Sequence, residues 1–240
     1  VGESDVRARL IVQALPEAGR TAEVEGAEAA HARARRVRAG DSVLLLDGSG
    51  REAVAVVVKC GRKIAVAVER VRDALAAPEP EILLAAGGLR PERLSWLAEK
   101  ATELGVTKLV IATTDRAQAF RADPSRAPRL ERVVREAAKQ AERARWPTVE
   151  AMPLRDVLAG PAATAIFLEH SGEPFPARVP PGPAAIAVGP EGGWTGAERL
   201  MAREMGWRVV SLPAGRLRAE TAAVVALGLL RAARGHVSKI

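Results

Sequence analysis

The hydrophobic pattern changes its period once along this 240-residue chain, and that change restricts the fold more than any other feature. Residues 1–72 read as short strands. VRARLIVQA at 6–14 alternates in part, and SVLLLDGSGREAVAVVVK at 42–59 holds two β-rich runs around Gly48-Ser49-Gly50, a hairpin signal. KIAVAVERV at 63–71 alternates cleanly after a Gly61-Arg62 turn. Successive hairpins with short turns predict a small β-barrel over 1–72. The prolines and acids of DALAAPEPE break any pattern, so 73–80 is expected to be a linker.

From 81 to 240 strands and helices alternate. EILLAAGG (81–88), VTKLVIATT (106–114), TAIFLEH (164–170), AAIAVG (184–189) and RVVSLP (208–213) read as strands. Between them, RPERLSWLAEKATELG places Leu94, Leu97, Ala98, Ala101 and Leu104 on one helical face, with Pro91 in the first turn and Gly105 after the last. RLERVVREAAKQAERAR (129–145), GAERLMAREMG (196–206) and RAETAAVVALGLLRAARG (218–235) are further helices. Such alternation predicts an α/β domain with a mostly parallel sheet. Ligands in such sheets sit at the carboxyl ends of strands, where FLEH, VGPEGG and SLPAGRLRAE fall.

Composition narrows the partners. The net charge of +7 permits a polyanion, while 3% aromatic residues and no Tyr leave little for base stacking. A single cysteine, Cys60, forbids an internal disulfide, and three His with one Cys speak against a zinc site; no metal is expected. No apolar run nears the roughly 20 residues that span a bilayer, and the N-terminus lacks an apolar signal core, so a cytoplasmic protein with no membrane partner is expected.

Three loops carry candidate chemistry. Gly189, Gly192 and Gly193 free the backbone for close approach, and Thr195 with Glu198 forms a capping box for a following helix. The G-x-x-G-G spacing is neither a dinucleotide fingerprint nor a P-loop, and Glu191 argues against a phosphate ligand. Alone, the cluster reads first as a tight strand-to-helix turn and only second as a ligand loop. LPAGRLRAETA (212–222) packs Gly215, Arg216, Arg218 and Glu220 before a helix that is apolar nearly all round. Glu169 and His170 close the strand TAIFL.

EKATELGV (99–106), VGPEGGWT (188–195) and LRAETA (217–222) resemble, in order and spacing, the motifs of the RsmE family, and the resemblance covers essentially the whole chain. That family methylates N3 of a uridine in 16S ribosomal RNA. The resemblance implies a PUA-like β-barrel over 1–72, a SPOUT-type α/β domain over 81–240 with a deep C-terminal trefoil knot, S-adenosylmethionine as methyl donor, and a homodimer. It places the cofactor against Leu168, Glu169, His170, Gly189, Pro190, Glu191, Gly192, Gly193, Leu212, Pro213, Gly215, Arg216, Leu217, Arg218 and Ala219. A sulfonium cation tolerates Glu191 where a phosphate would be repelled. The chain departs from the family at Pro213, Gly215 and Arg216, and at Arg9-Leu10-Ile11, where an Arg-Phe-Phe-like start is usual.

Methylation at N3 needs orientation, a route for the N3 proton and stabilisation of charge on the uracil edge. Arg218 is the expected electrostatic partner of the uracil anion or its phosphate, and Glu220 or Glu191 the expected proton acceptor. RNA contacts are expected from Arg7, Arg9, His31, Arg33, Arg35, Arg36 and Arg38 on the barrel. Arg132, Arg135, Lys139 and Arg143 on the helix 129–145 form a second basic stripe. The alternatives are a SPOUT enzyme acting on transfer RNA, and a non-catalytic RNA-binding assembly factor.

Overall fold

In the computed structural model, residues 6–75, 79–120 and 127–235 are described. They fall into two compact units, residues 1–79 with 138–146, and residues 80–137 with 147–240. Residues 76–78 of the expected linker lie outside the described residues.

The first unit contains strands β1 (Val6–Ile11), β2 (Thr21–Val24), β3 (Ser42–Leu46), β4 (Arg51–Cys60) and β5 (Ile64–Asp73), with helix α1 (Gly26–Ala34) between β2 and β3. They form one mixed sheet in the order β1-β3-β4-β5-β2. Only β1 and β3 run parallel; the β3-β4, β4-β5 and β5-β2 pairs are antiparallel. Alternate residues point into the core, as the pattern requires: Ala8 and Leu10, Val43 and Leu45, Ala53, Ala55 and Val57, Ile64, Val66 and Val68. Ala29 and Ala32 of α1 cover them, small enough for the helix to lie close. The hairpin expected at 48–50 is present, with Gly48 at φ +88° and Gly50 at φ +93°. Strand β2 carries no such sequence signal; its four residues TAEV are short and flanked by polar turns.

The helix expected over 129–145 instead runs as α3 from Ala127 to Gln140. The backbone reverses at Glu142, which adopts φ +55° while Arg143 N–H donates to the Ala138 carbonyl at 2.8 Å. This is a left-handed helix cap made without glycine. The Trp146-Pro147 step further on disfavours continued helix. Segment 138–146 belongs to the first unit. There Arg9 donates two bonds of 3.0 Å to Glu142, Lys139 pairs with Glu28 at 3.0 Å, and Arg143 pairs with Glu79.

The second unit is built on β6 (Ile82–Gly87), β7 (Lys108–Thr113), β8 (Thr148–Pro153), β9 (Thr164–Pro174), β10 (Ala184–Val188) and β11 (Arg208–Ser211). Their order is β11-β9-β10-β6-β7-β8, and every pairing is parallel. Helices α2 (Pro91–Glu103), α4 (Leu154–Leu158), α5 (Gly196–Glu204) and α6 (Ala219–Ala233) join α3 around it. Pro91 opens α2, and Gly105 at φ +75° closes it, as the sequence requires. β8 and α4 lack a readable pattern, because β8 is an edge strand with half its residues or more exposed and α4 has five residues. Helix α6 packs on β6, β10 and α2, with Ala223, Ala226, Leu227 and Leu230 fully covered. Among the described residues no helix is long and apolar enough to cross a membrane.

Strand β11 leaves the regular ladder in mid-strand. Val209 pairs with Phe167, but the next residue, Val210, pairs with Glu173, so residues 168–172 bulge away from β11. Gly172 permits the two backbones to close again, since a Cβ there would lie 2.6 Å from Val210 N and 2.7 Å from the Val209 carbonyl. Backbone atoms cannot yield as a side chain can. Gly172→Ala is therefore expected to destabilise the protein by about 1–3 kcal/mol, which thermal unfolding would register as a melting temperature lower by roughly 5 °C.

Candidate active site

Parallel pairing brings the carboxyl ends of β11, β9 and β10 to one edge of the sheet, side by side. The loop after β10 is the most tightly fixed of the three. Gly193, at φ +69°, donates its N–H to the Pro190 carbonyl at 2.8 Å and closes a turn. Pro190 lies against Gly87 at the end of β6, where an added Cβ would come within 2.6 Å of the proline ring. Gly189 makes room for the Trp194 indole, which stacks on Phe167 at 4.2 Å and donates Nε1–H to the Leu168 carbonyl at 2.8 Å. The capping box forms: Glu198 N–H donates to Thr195 Oγ1 at 3.2 Å, and Thr195 N–H to Glu198 Oε2 at 2.8 Å.

A second brace comes from the turn after β7. Asp115 N–H donates to Glu198 Oε1 at 2.9 Å, Thr195 Oγ1 to Asp115 Oδ2 at 2.9 Å, and Arg116 to the Gly192 carbonyl at 2.8 Å. The loop is thus held from β9, β6 and β7 together.

Glu169 and His170 sit on the bulge of β9. Glu169 is almost wholly buried, whereas the imidazole is exposed. The carboxylate accepts from His170 Nδ1 at 2.6 Å through Oε1 and from Arg199 at 3.1 Å through Oε2. An ionised carboxylate only accepts, so Nδ1 carries the proton in this pair and Nε2 is left facing solvent. Burial alone would raise the Glu169 carboxyl, but the hydrogen bonds from His170 and Arg199 outweigh it and hold it below the ordinary value of 4.5.

The third loop, 212–219, follows β11. The Ala214 N–H donates to the Leu212 carbonyl at 2.8 Å. Arg216 and Arg218 are exposed, Leu217 and Ala219 half-buried, and Gly215 has nothing within 4 Å of a would-be Cβ. Leu212 and Pro213 line a cavity of about 480 Å³ whose other walls include Phe175, Leu229 and Ala233. Residues 168–170 and 189–193 do not line that cavity. In the first turn of α6, Glu220 is buried.

The two expected acids meet through a residue that sequence reasoning missed. Arg93, in the first turn of α2, pairs with Glu191 through Nη1 and lies 3.6 Å from Glu220 Oε1 through Nε. Asp115, Arg116 and Arg199 were missed as well. The available signal was position: Arg93 and Arg116 follow the carboxyl ends of β6 and β7, the same edge as the three loops.

The expected RNA contacts are not equally available. Arg7, Arg35, Arg36 and Arg38 are exposed, and His31 is half-exposed, in the first unit. Arg33 is bound to the Gly61 and Arg62 carbonyls, and Arg9 to Glu142. Arg132 and Arg135 are exposed on α3, Arg135 with Glu131 at 3.5 Å. Lys139 does not belong to a solvent stripe: its side chain is 8% exposed and turned to Glu28, and Arg143 is turned to Glu79. Among the described residues no group of three or more His, Cys, Asp or Glu is placed to hold a metal ion.

A strand-edge site of glycine loops and ion-paired carboxylates on an all-parallel sheet belongs to a known class. The RNA methyltransferase domain family matches residues 77–231, and the RNA methyltransferase PUA domain family matches residues 24–69. The chain is 33% identical over 232 residues to ribosomal RNA small subunit methyltransferase E of Mycobacterium bovis, covering 90% of this chain and 88% of that protein. It is 31% identical to the protein of the same name from Synechocystis, over 83% of this chain and 69% of that one. A probable rRNA-methyltransferase from Porphyromonas gingivalis superimposes with a TM-score of 0.83 at 27% identity, over 95% of this chain and 98% of that one. The fold is shared, at 23% identity and a TM-score of 0.82 over 95% and 98% of the chains, with ribosomal RNA small subunit methyltransferase E from Neisseria gonorrhoeae, a structure bound to S-adenosyl methionine. The chain belongs to the RNA methyltransferase family, in the RsmE branch.

The Glu169 arrangement makes a checkable statement about pH. Its folded-state value is depressed, so its stabilisation is fully present above 4.5 and is lost as pH falls through the lower folded value. The melting-temperature gap between wild type and Glu169→Gln is expected to be widest near about pH 6 and to narrow towards about pH 3.

Proposed function

We propose that this chain transfers a methyl group from S-adenosylmethionine to N3 of one uridine in 16S ribosomal RNA of the small subunit. The observation that carries the reading is the placement of GPEGG and LRAETA at the ends of β10 and β11, which flank β9 with its Glu169-His170 bulge. The names of the relatives, ribosomal RNA small subunit methyltransferase E, support the substrate class.

The residues fit a sulfonium cofactor. The site presents carboxylates at Glu169 and Glu191, each offset by an arginine, and glycines whose faces are open at 215 and nearly so at 193. Residues 168–170, 189–193 and 212–219 would hold the cofactor, which supplies an electrophilic methyl group when bound. The fixed 189–195 loop orients it, and Arg218, exposed at the start of α6, faces the negative charge of the uracil edge or a phosphate. N3 is engaged in pairing inside a duplex, so the target enters single-stranded or flipped out.

The same reading gives a PUA-like barrel over 1–72, a linker over 73–80 and a SPOUT domain over 81–240 with a trefoil knot. Support for the knot is topological: β11 docks on β9, outside β10, and α6 then returns to pack on β10, β6 and α2. Support for a homodimer is the half-covered apolar side of α6, with Val224, Val225 and Leu229, and the exposed Trp96 of α2. The enzyme acts in the cytoplasm, where its RNA substrate is.

Purified protein with labelled S-adenosylmethionine is expected to label 16S ribosomal RNA in small subunits and to leave transfer RNA unlabelled. Label in transfer RNA alone would overturn the substrate, and no cofactor binding by calorimetry would point to a non-catalytic assembly factor. RNA affinity is expected to fall steeply with salt. Replacing Arg35 and Arg38 with Ala should lower the log–log salt slope by about 0.7–0.9 for each phosphate that is no longer neutralised, measured by filter binding across a salt series.

A further inference from the structure

We propose that Glu220 is the group that accepts the uridine N3 proton, through Oε2, and that Arg93 is a positioning residue that holds Glu220 in place, with Glu191 as the counter-anchor of Arg93. The proposal rests on the methyltransferase reading above and decides between the two acids that the motifs alone leave equivalent.

The two acids differ in their surroundings. Glu191 lies on the loop with its side chain 44% exposed and its carboxylate engaged by Arg93. Glu220 is buried, its side chain 9% exposed, and its two oxygens are not alike. Oε1 lies 3.6 Å from Arg93 Nε, whereas Oε2 is buried with no hydrogen-bond partner among the described residues. A buried polar atom left without a donor costs about 1–3 kcal/mol, so its retention asks for a reason. A donor that arrives with the substrate is such a reason, and uridine N3–H is a donor.

Position agrees with the role. Glu220 follows Arg218 and Ala219 at the start of α6, so the acceptor is two residues from the guanidinium assigned to the uracil edge. In the step, the N3–H bond breaks, the proton joins Oε2, and the electron pair stays on N3, which becomes the nucleophile. Glu220 ends the step neutral. Arg93 is then not left as an uncompensated charge, because Glu191 still pairs with it. A single guanidinium between two carboxylates is therefore balanced after the proton has moved, provided Glu191 stays in place. Arg93 also ties together α2, the loop after β10 and α6, which have no hydrogen-bonded ladder in common.

The test uses the full chain with small subunits, in single turnover across a pH series, beside cofactor calorimetry and thermal melting. Glu220→Gln is expected to lower the rate at neutral pH by about 100-fold or more, the scale of positioned proton transfer, and to recover as rising pH removes the N3 proton without help. Its cofactor affinity should change less than about threefold, a shift under 1 kcal/mol. Arg93→Ala should slow the step by about tenfold, and Arg93→Lys should restore part of it, since an ammonium can hold a carboxylate but cannot reproduce both the Nη1 and Nε contacts of the guanidinium. Glu191→Gln should slow it less than Glu220→Gln. A Glu220→Gln protein that melts normally and keeps the wild-type rate and pH profile would overturn the assignment of the acceptor. An Arg93→Lys protein no better than Arg93→Ala would overturn the positioning role. Wild type that fails to bind the cofactor or to methylate would instead overturn the methyltransferase reading itself.

Discussion

Parallel pairing of β11, β9 and β10 is the constraint on which the site depends. In a parallel sheet all carboxyl ends emerge on one edge, so loops far apart in sequence become neighbours without any direct attraction between them. Two close backbone approaches then fix the distances. Pro190 sits on Gly87, and Val210 closes on Gly172, each at a spacing that a Cβ would prevent. The bulge at 168–172 follows from the second approach: β9 and β11 must rejoin after it, and the residues left out are those that carry Glu169 and His170.

Electrostatics organises what the sheet brings together. Each carboxylate of the site has an arginine from another element: Arg199 for Glu169, and Arg93 for both Glu191 and Glu220. The half-exposed Arg93–Glu191 pair contributes little to stability, about 0–1 kcal/mol, whereas Glu169 and Glu220 are buried acids. The value of the three pairs is also geometric: Arg199 and Arg93 tie the β9 bulge and the loop after β10 to α5 and α2, and Arg93 ties α2 to α6. The Trp194 indole does the same by neutral means, stacking on Phe167 and holding the Leu168 carbonyl. The loop that reads from sequence as a glycine-rich strand-to-helix turn is one of the best anchored segments of the unit.

Much of this was legible in the sequence where a local rule decides the outcome. Alternation placed β5, two β-rich runs around a glycine turn placed β3 and β4, the 3.6-residue period placed α2, and Thr195 with Glu198 marked the start of α5. Where tertiary context decides, the sequence was silent or misleading. The apolar stripe of α3 continues past Gln140, yet Glu142 turns left-handed and joins Arg9. Lys139 and Arg143 look like a solvent stripe on a helical wheel, but both pair with acids far away in sequence, Glu28 and Glu79. Edge strand β8 has no period to detect. Arg93 has no motif of its own; only folding shows that it joins the GPEGG loop to LRAETA.

The central claim is that these loops form a site for methylating a uridine at N3 in 16S ribosomal RNA. The most direct measurement is nucleoside mass spectrometry of that RNA from cells lacking this chain, before and after treatment of their small subunits with the purified protein and S-adenosylmethionine. The account predicts one N3-methyluridine missing before treatment and restored after it. An unchanged complement of N3-methyluridine in the cells that lack the chain, or restoration of a different modified nucleoside, would contradict it.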